Sequence, residues 1–203
     1  MPGKSRSPVL HLVVCGTEPA AELTPFIAAC QELSWEVHIV TTPDAVDVID
    51  RDALTALTDH PIREDEQAEA LHPLPPAEAY AVAPASFDLV NKWAYGLNDN
   101  LALRLLNEAT AVGLPVVAVP VPDPTLAQHP AFLENLERLR HWGVIVTRLA
   151  DPEVDDPAPW HAAAQVISAW TRFARVPAQP TAHRTPLTEP LRRGVDDLAM
   201  QSG

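Results

Sequence analysis

Along this chain, continuous apolar runs alternate with stretches of helical spacing. LHLVVC (10–15) is the kind of run that a strand buried on both faces requires, and Gly16 ends it. Thr24 and Pro25 read as an N-cap and a first-turn proline for a helix reaching about Leu33. A second strand, EVHIV (36–40), leaves through TTPDA, and helical spacing then runs from about Ala45 to Thr58. Between Asp59 and Pro76 the chain is polar and proline-rich, which predicts a long loop with at most a weak strand; such loops in α/β chains often carry function. AYAVA (79–83) is the third strand. From Phe87 to about Ala111 the spacing is helical with a break near Gly96 to Asn98, so two successive helices are expected. LPVVAVP (114–120) is the clearest buried strand. PAFLENLERLRHW (130–142) is amphipathic, with Phe132, Leu136 and Leu139 on one face, and Gly143 stops it before a last strand, VIV (144–146). Trp160 to Arg175 closes the series as a helix.

Strands interleaved with helices in this way predict an α/β fold, a three-layer sandwich around a mostly parallel sheet. Three regions are expected: a flexible N-terminus over 1–8, one domain over 9–175, and a proline-rich C-terminal tail or arm over 176–203. Length and a 47% apolar content suit one substantial core. With 14 Lys plus Arg against 27 Asp plus Glu, the net charge of −13 argues against nucleic acid as a partner. No apolar run has the length of a membrane span, and MPGKSRSP leads into the first strand without the pattern of a secretory signal. Cys15 and Cys30 stand in no CxxC or metal spacing, so a reduced, cytoplasmic setting is expected, and the histidines form no metal-ligand set.

In such sheets ligands gather at the carboxyl ends of the strands, which draws attention to CGTEP, TTPDA, APASFD and PVPDP. Gly16 and Thr17 suit either a simple turn or a loop that lets backbone approach an anion. Neither GxGxxG nor a P-loop is present, and hydrolase motifs such as GxSxG are missing. Ser86 and Asp88 expose a hydroxyl and a carboxylate where a helix begins; the plain account is an N-cap, the functional one a ligand loop. Trp93, on that helix, is expected to be partly exposed and able to cover a ring. Trp142, Trp160 and Trp170 read as core or interface anchors. His38 reads as a packed strand residue, and His129 and His141 as residues at the two ends of one helix.

The stretch APASFDLVNKWAYGLNDN (83–100) resembles the PASANTxxKxAxGxxDN segment of the homo-oligomeric flavin-containing cysteine decarboxylases, matching at Pro84, Ala85, Ser86, Lys92, Ala94, Gly96, Asp99 and Asn100. PVPDPTLAQHPAFLENLERLRHWGV (120–144) is similar to that family's PxMNxxMW loop with its following HPAxxxNLxxLxxxGV helix. The resemblance spans residues 9–146 and implies a Rossmann-like subunit, a homo-oligomer of three chains or a multiple of three, with FMN near a subunit contact. It implies that Pro84, Ala85, Ser86, Phe87 and Asp88 line the flavin, and that Gly16, Thr17, Thr42 and Asp44 face its ribityl phosphate. It further implies oxidation on the thiol side of a cysteine-derived or peptidyl substrate, loss of carbon dioxide, and a histidine as acid or base, for which His72 is the candidate.

The chain departs from the pattern at chemically meaningful places. Asp123 stands where the family's asparagine grips the substrate carboxylate, and Pro122 replaces the preceding methionine; like charges at contact oppose each other's ionisation. His72 lies two residues closer to the Pro-Ala-Ser turn than the motif places its histidine. Asp44 replaces a phosphate-contacting serine, and Glu18 adds a second carboxylate nearby. Three functions therefore stand side by side: an FMN-dependent decarboxylase of a thiol acid, a flavin-binding reductase or carrier without decarboxylation, and a cofactor-free interaction protein on the same fold.

Overall fold

The computed structural model describes residues 6–17, 20, 22–65, 71, 73–147 and 160–174, with side chains to residue 170. Among the described residues five strands and six α-helices follow in the order β1 Val9–Val14, α1 Thr24–Glu32, β2 Glu36–Thr41, α2 Arg51–Thr58, β3 Ala79–Ala85, α3 Phe87–Ala94, α4 Leu101–Val112, β4 Val116–Pro120, α5 Pro130–His141, β5 Ile145–Val146 and α6 His161–Ala174. All strand pairs are parallel and their order is β2-β1-β3-β4-β5.

Period-two alternation sends successive strand residues to opposite faces, so a parallel sheet needs cover on both. On one side Leu10, Leu12, Val14, Val37, Ile39 and Val119 meet Phe26 and Ile27 of α1, Leu54 of α2 and Ile167 of α6. On the other, Val13, Val40, Val82 and Ala118 meet Leu89 and Trp93 of α3, Leu103 and Leu106 of α4 and Phe132 and Leu136 of α5. The helical stripes are buried as their spacing predicts, each large side chain contributing about 1.5–3 kcal/mol.

Local chemistry sets the boundaries. Ser86 Oγ accepts from the Leu89 amide at 3.2 Å, and Asn100 Oδ1 accepts from the Leu103 amide at 2.9 Å, so α3 and α4 each start on a side-chain cap worth about 1 kcal/mol. Gly113, at φ 74°, ends α4 in a left-handed conformation that a side chain resists.

Several expectations are corrected. Thr24 is the first helical residue and not the cap, because Leu23 holds that position without a side-chain bond. The helix anticipated from Ala45 starts later: Pro43–Ala45 forms a single 3-10 turn, and Asp50 then caps α2 by accepting from the Ala53 amide. Trp93 is 0% exposed, with its indole N–H donating to Thr110 Oγ1 at 3.1 Å, so it ties α3 to α4 and faces no ligand. Trp160 is buried and Trp170 packs on the first core, whereas Trp142 is 44% exposed. The expected C-terminal tail or arm, 176–203, lies outside the described residues, as does most of the expected flexible N-terminus, 1–8.

Candidate functional site

β1 lies between β2 and β3, so the chain runs from it to β2 on one side and then returns to place β3 on the other. The point where strand order reverses therefore lies between the exits of β1 and β3, where diverging loops leave a crevice. Gly16 and Thr17 follow β1, Thr42 to Asp44 follow β2, and Ser86 to Asp88 follow β3, so the sheet brings together the residues that the sequence singles out at three exits.

The β1 and β2 exits are locked to one another. The Thr42 amide donates to the Val14 carbonyl at 2.9 Å, the Thr42 hydroxyl donates to the same oxygen at 3.2 Å, and the Gly16 amide donates to Asp44 Oδ2 at 3.2 Å. A Cβ on Gly16 would sit 2.2 Å from the Asp44 carbonyl oxygen, so only glycine fits here. Gly16→Ala is accordingly expected to destabilise the fold by roughly 1–3 kcal/mol through this main-chain collision, read as a lower midpoint in urea unfolding. Thr17 Oγ1 is buried and has no hydrogen-bond partner. A buried hydroxyl without a partner is costly, and one at a strand exit is available to a ligand.

A cleft of about 360 Å³ opens beside these loops, lined by Thr42, Asp44, Ser86, Asp88, Lys92 and Asn100 among others. That is the lower end of the volume range for small-molecule sites. Lys92 Nζ pairs with Asp99 Oδ2 at 2.9 Å, a bond that raises the Lys92 pKa, with Asp88 and Asp44 acting in the same direction more weakly. Lys92, Asp99 and Asn100 are cleft residues that the sequence argument had only as motif matches. Their role appears once the Gly96 to Asn98 turn folds α4 back against α3, and that closure leaves no signature in local spacing.

The other candidates lie as follows. Pro84 and Ala85 are buried strand residues beneath the cleft, and Ser86 serves as the cap already described. Phe87 turns from the cleft to stack on Phe132, with ring centroids 5.4 Å apart, and meets the His129 ring edge-on at 5.6 Å. Asp123, at the β4 exit, accepts from the Thr125 amide at 2.8 Å and from its hydroxyl at 2.6 Å; these bonds lower its pKa, so it is an anion at neutral pH. It does not line the cleft. Cys15, buried below the site, has its thiol pushed up to about 11 by burial, which keeps it protonated and inert as a nucleophile. His72 and Glu18 lie outside the described residues.

A doubly wound parallel sheet with a polar cleft beside the strand exits at its switch point is the arrangement of nucleotide- and flavin-type binding folds. A family model described as Flavoprotein matches residues 2–171, and the chain belongs to the Flavoprotein family. It is 28% identical over 138 residues to the Coenzyme A biosynthesis bifunctional protein CoaBC of Mycobacterium bovis, a match covering 66% of this chain and 32% of that protein. The chain thus spans about a third of the length of the curated relatives it matches. Among solved structures, the FMN-dependent cysteine decarboxylase TvaF from thioviridamide biosynthesis superposes with a TM-score of 0.60 at 23% identity, covering 80% of this chain and 98% of that one. The cypemycin decarboxylase CypD superposes with a TM-score of 0.64 at 23% identity, covering 82% and 95%. These structures share the fold. Among the described residues no helix is long and apolar enough to cross a membrane.

Proposed function

We propose that this chain binds FMN at the β1/β3 crevice and decarboxylates a small or peptidyl thiol acid derived from cysteine. The observation that carries this reading is the Thr17 hydroxyl, buried and unpartnered beside Gly16 at the β1 exit in a chain of the Flavoprotein family. The residues fit the cofactor. Within the cleft Ser86 offers a hydroxyl, Thr42 close backbone and Lys92 a cation to a phosphate, and at the adjoining β1 exit Gly16 and the unpartnered Thr17 hydroxyl stand beside them. Asp44 and Asp88 are exposed and the Asp99 carboxylate is half-exposed, so water screens the charge of all three; Asp44, which accepts from the Gly16 amide, is the one tied to the β1 exit.

Bound FMN supplies the oxidation on the thiol side that makes loss of carbon dioxide feasible. The protein's part is placement and proton handling. In this reading His72 exchanges a proton with the substrate at near-neutral pH. The chain works as a homo-oligomer of three chains or a multiple of three, in a cytoplasmic setting that suits its two free, buried cysteines.

A second reading, a flavin-binding reductase or carrier, is favoured by Asp123, whose ionised carboxylate would repel a substrate carboxylate. The test is direct. Purified protein is examined for visible flavin absorbance with and without added FMN, then assayed for carbon dioxide release from cysteine-ended peptides and phosphopantothenoylcysteine. A colourless protein that ignores FMN overturns both readings, while bound flavin without carbon dioxide release leaves the second. Asp123→Asn keeps an oxygen for the two Thr125 bonds and removes the charge, so decarboxylation is expected to rise about two- to fivefold over the unaltered chain, the modest effect of a like charge that water screens. An unchanged rate would place Asp123 away from the reaction.

A further inference from the structure

At the opposite end of the strands from the crevice, three ligating side chains converge that have no spacing signature in the sequence. Glu36 and His38 are separated by one residue on β2 and so share a face of the edge strand, while His60 arrives from the turn after α2. His38 Nε2 lies 2.8 Å from Glu36 Oε1, and His60 Nε2 lies 3.4 Å from the same oxygen. The ligand atoms of all three fall within 4.8 Å of one another. Four ligands around Zn²⁺ at bonds near 2.0–2.1 Å stand about 3.3 Å apart, so both nitrogen-to-oxygen edges are close to those of a coordinated set. The third edge must contract. The two imidazoles are stacked, with centroids 4.0 Å apart and 13° between planes, and closing on an ion asks His60 to turn its Nε2 inward.

The surroundings permit this. The His60 side chain is 29% exposed and that of Glu36 is 37% exposed, so both can adjust and water can complete the coordination, while His38 is anchored at 6%. The His60 main chain is fixed because its carbonyl accepts from the Thr58 hydroxyl at 3.2 Å. Arg63 sits near enough to His38 to oppose a second cation, and its guanidinium donates to the Pro61 carbonyl at 2.5 Å; the Glu36 carboxylate offsets that charge within the cluster. Two neutral imidazoles and one carboxylate with an open fourth position form a ligand set for a borderline first-row divalent ion, and they discriminate against Mg²⁺ and Ca²⁺, which prefer all-oxygen shells.

We propose that Glu36, His38 and His60 form a divalent transition-metal site, of Zn²⁺ type, that clips the start of edge strand β2 to the turn after α2. The site shares no residue with the flavin crevice and stands apart from that reading.

The experiment uses full-length protein without a polyhistidine tag, with its flavin content as purified. After chelator treatment it is titrated with Zn²⁺ by calorimetry and with Co²⁺ as a visible-absorbing substitute. One Zn²⁺ per chain, a Co²⁺ ligand-field band of a low-coordinate site, and a Zn²⁺-dependent rise in melting temperature are expected. Glu36→Gln and His60→Ala, both at accessible positions, should each weaken binding by at least about tenfold and leave any flavin absorbance unchanged. Equal Zn²⁺ binding by the unaltered chain and by a protein carrying both changes would overturn the site. So would the lack of any saturable binding in the unaltered chain. Circular dichroism of the metal-free variants shows whether they are folded, and Glu36→Asp, which keeps the charge, should retain part of the affinity lost in Glu36→Gln.

Discussion

Replacing Lys92 by Met is expected to weaken FMN binding roughly 10- to 100-fold, the worth of one charge-assisted contact to a phosphate, while riboflavin binding stays nearly constant. Lys92 is the one cation among the described residues lining the cleft, and its partner Asp99 leaves half of its own carboxylate in water. Losing that exposed pair costs the fold under about 1 kcal/mol, so the change reads on the ligand and not on stability. Asp44→Asn should move affinity in the other direction. The asparagine oxygen can still accept from the Gly16 amide, but the negative charge beside the phosphate is gone, so FMN should bind roughly tenfold more tightly and riboflavin unchanged. Flavin fluorescence titration of both ligands on the three proteins decides the matter. If Lys92→Met weakens riboflavin as much as FMN, the phosphate does not meet Lys92.

Acid should destabilise this protein well before its carboxylates titrate. His11 is buried on β1, with its Nε2 3.0 Å from the Pro75 carbonyl and its Nδ1 without a partner. Burial pulls its pKa down to about 4, against the upward pull of the Pro75 carbonyl. The unfolded chain takes up this proton near 6.5, while the folded chain refuses it until about 4. Between those values the unfolded state binds more protons, so stability is complete above pH 6.5 and falls as pH drops toward 4. The full loss is about 3 kcal/mol, of which about 2 kcal/mol has gone by pH 5. His38, also lowered chiefly by burial, acts in the same sense. Urea unfolding at pH 7 and pH 5, in the presence of a chelator, measures the drop, and His11→Phe should remove most of it. A slope that survives this substitution would assign the acid sensitivity elsewhere.

How far the letters alone carried the fold is clear from particular elements. The continuous apolar runs marked all five strands to within two residues, because a doubly covered parallel strand needs apolar residues on both faces. Gly96 to Asn98 correctly divided α3 from α4. The start of α2 was misjudged because Pro43 and Asp44 look like a helix opening, whereas the true cap, Asp50, was masked by the apolar pair Val48 and Ile49.

The site was less legible. Gly16, Thr42, Asp44, Ser86 and Asp88 meet at one rim because strand exits must, and that much follows from topology. Phe87 was expected at the ligand, yet an aromatic ring at the first turn of a helix finds more apolar area against Phe132 than over a polar cleft. Lys92 sits one residue before the buried Trp93, and only the α3/α4 packing shows which of the two faces outward. Glu36, His38 and His60 were unreadable as a set, since twenty-one residues and a whole helix separate the last two.

Both borders of the sheet are blunted. Among the described residues β5 contributes two rungs, Val117 with Ile145 and Ala118 with Val146. Along the outer side of β2, the loop folds over so that the Thr41 amide donates to the Arg63 carbonyl and the Arg63 amide donates to the Ile39 carbonyl. A stub of two residues and a margin already occupied by its own chain give an incoming strand little template. Copies of this protein that assemble find little strand edge to extend here, which leaves helix and loop side chains as the ready contact surface and works against fibril growth by strand addition.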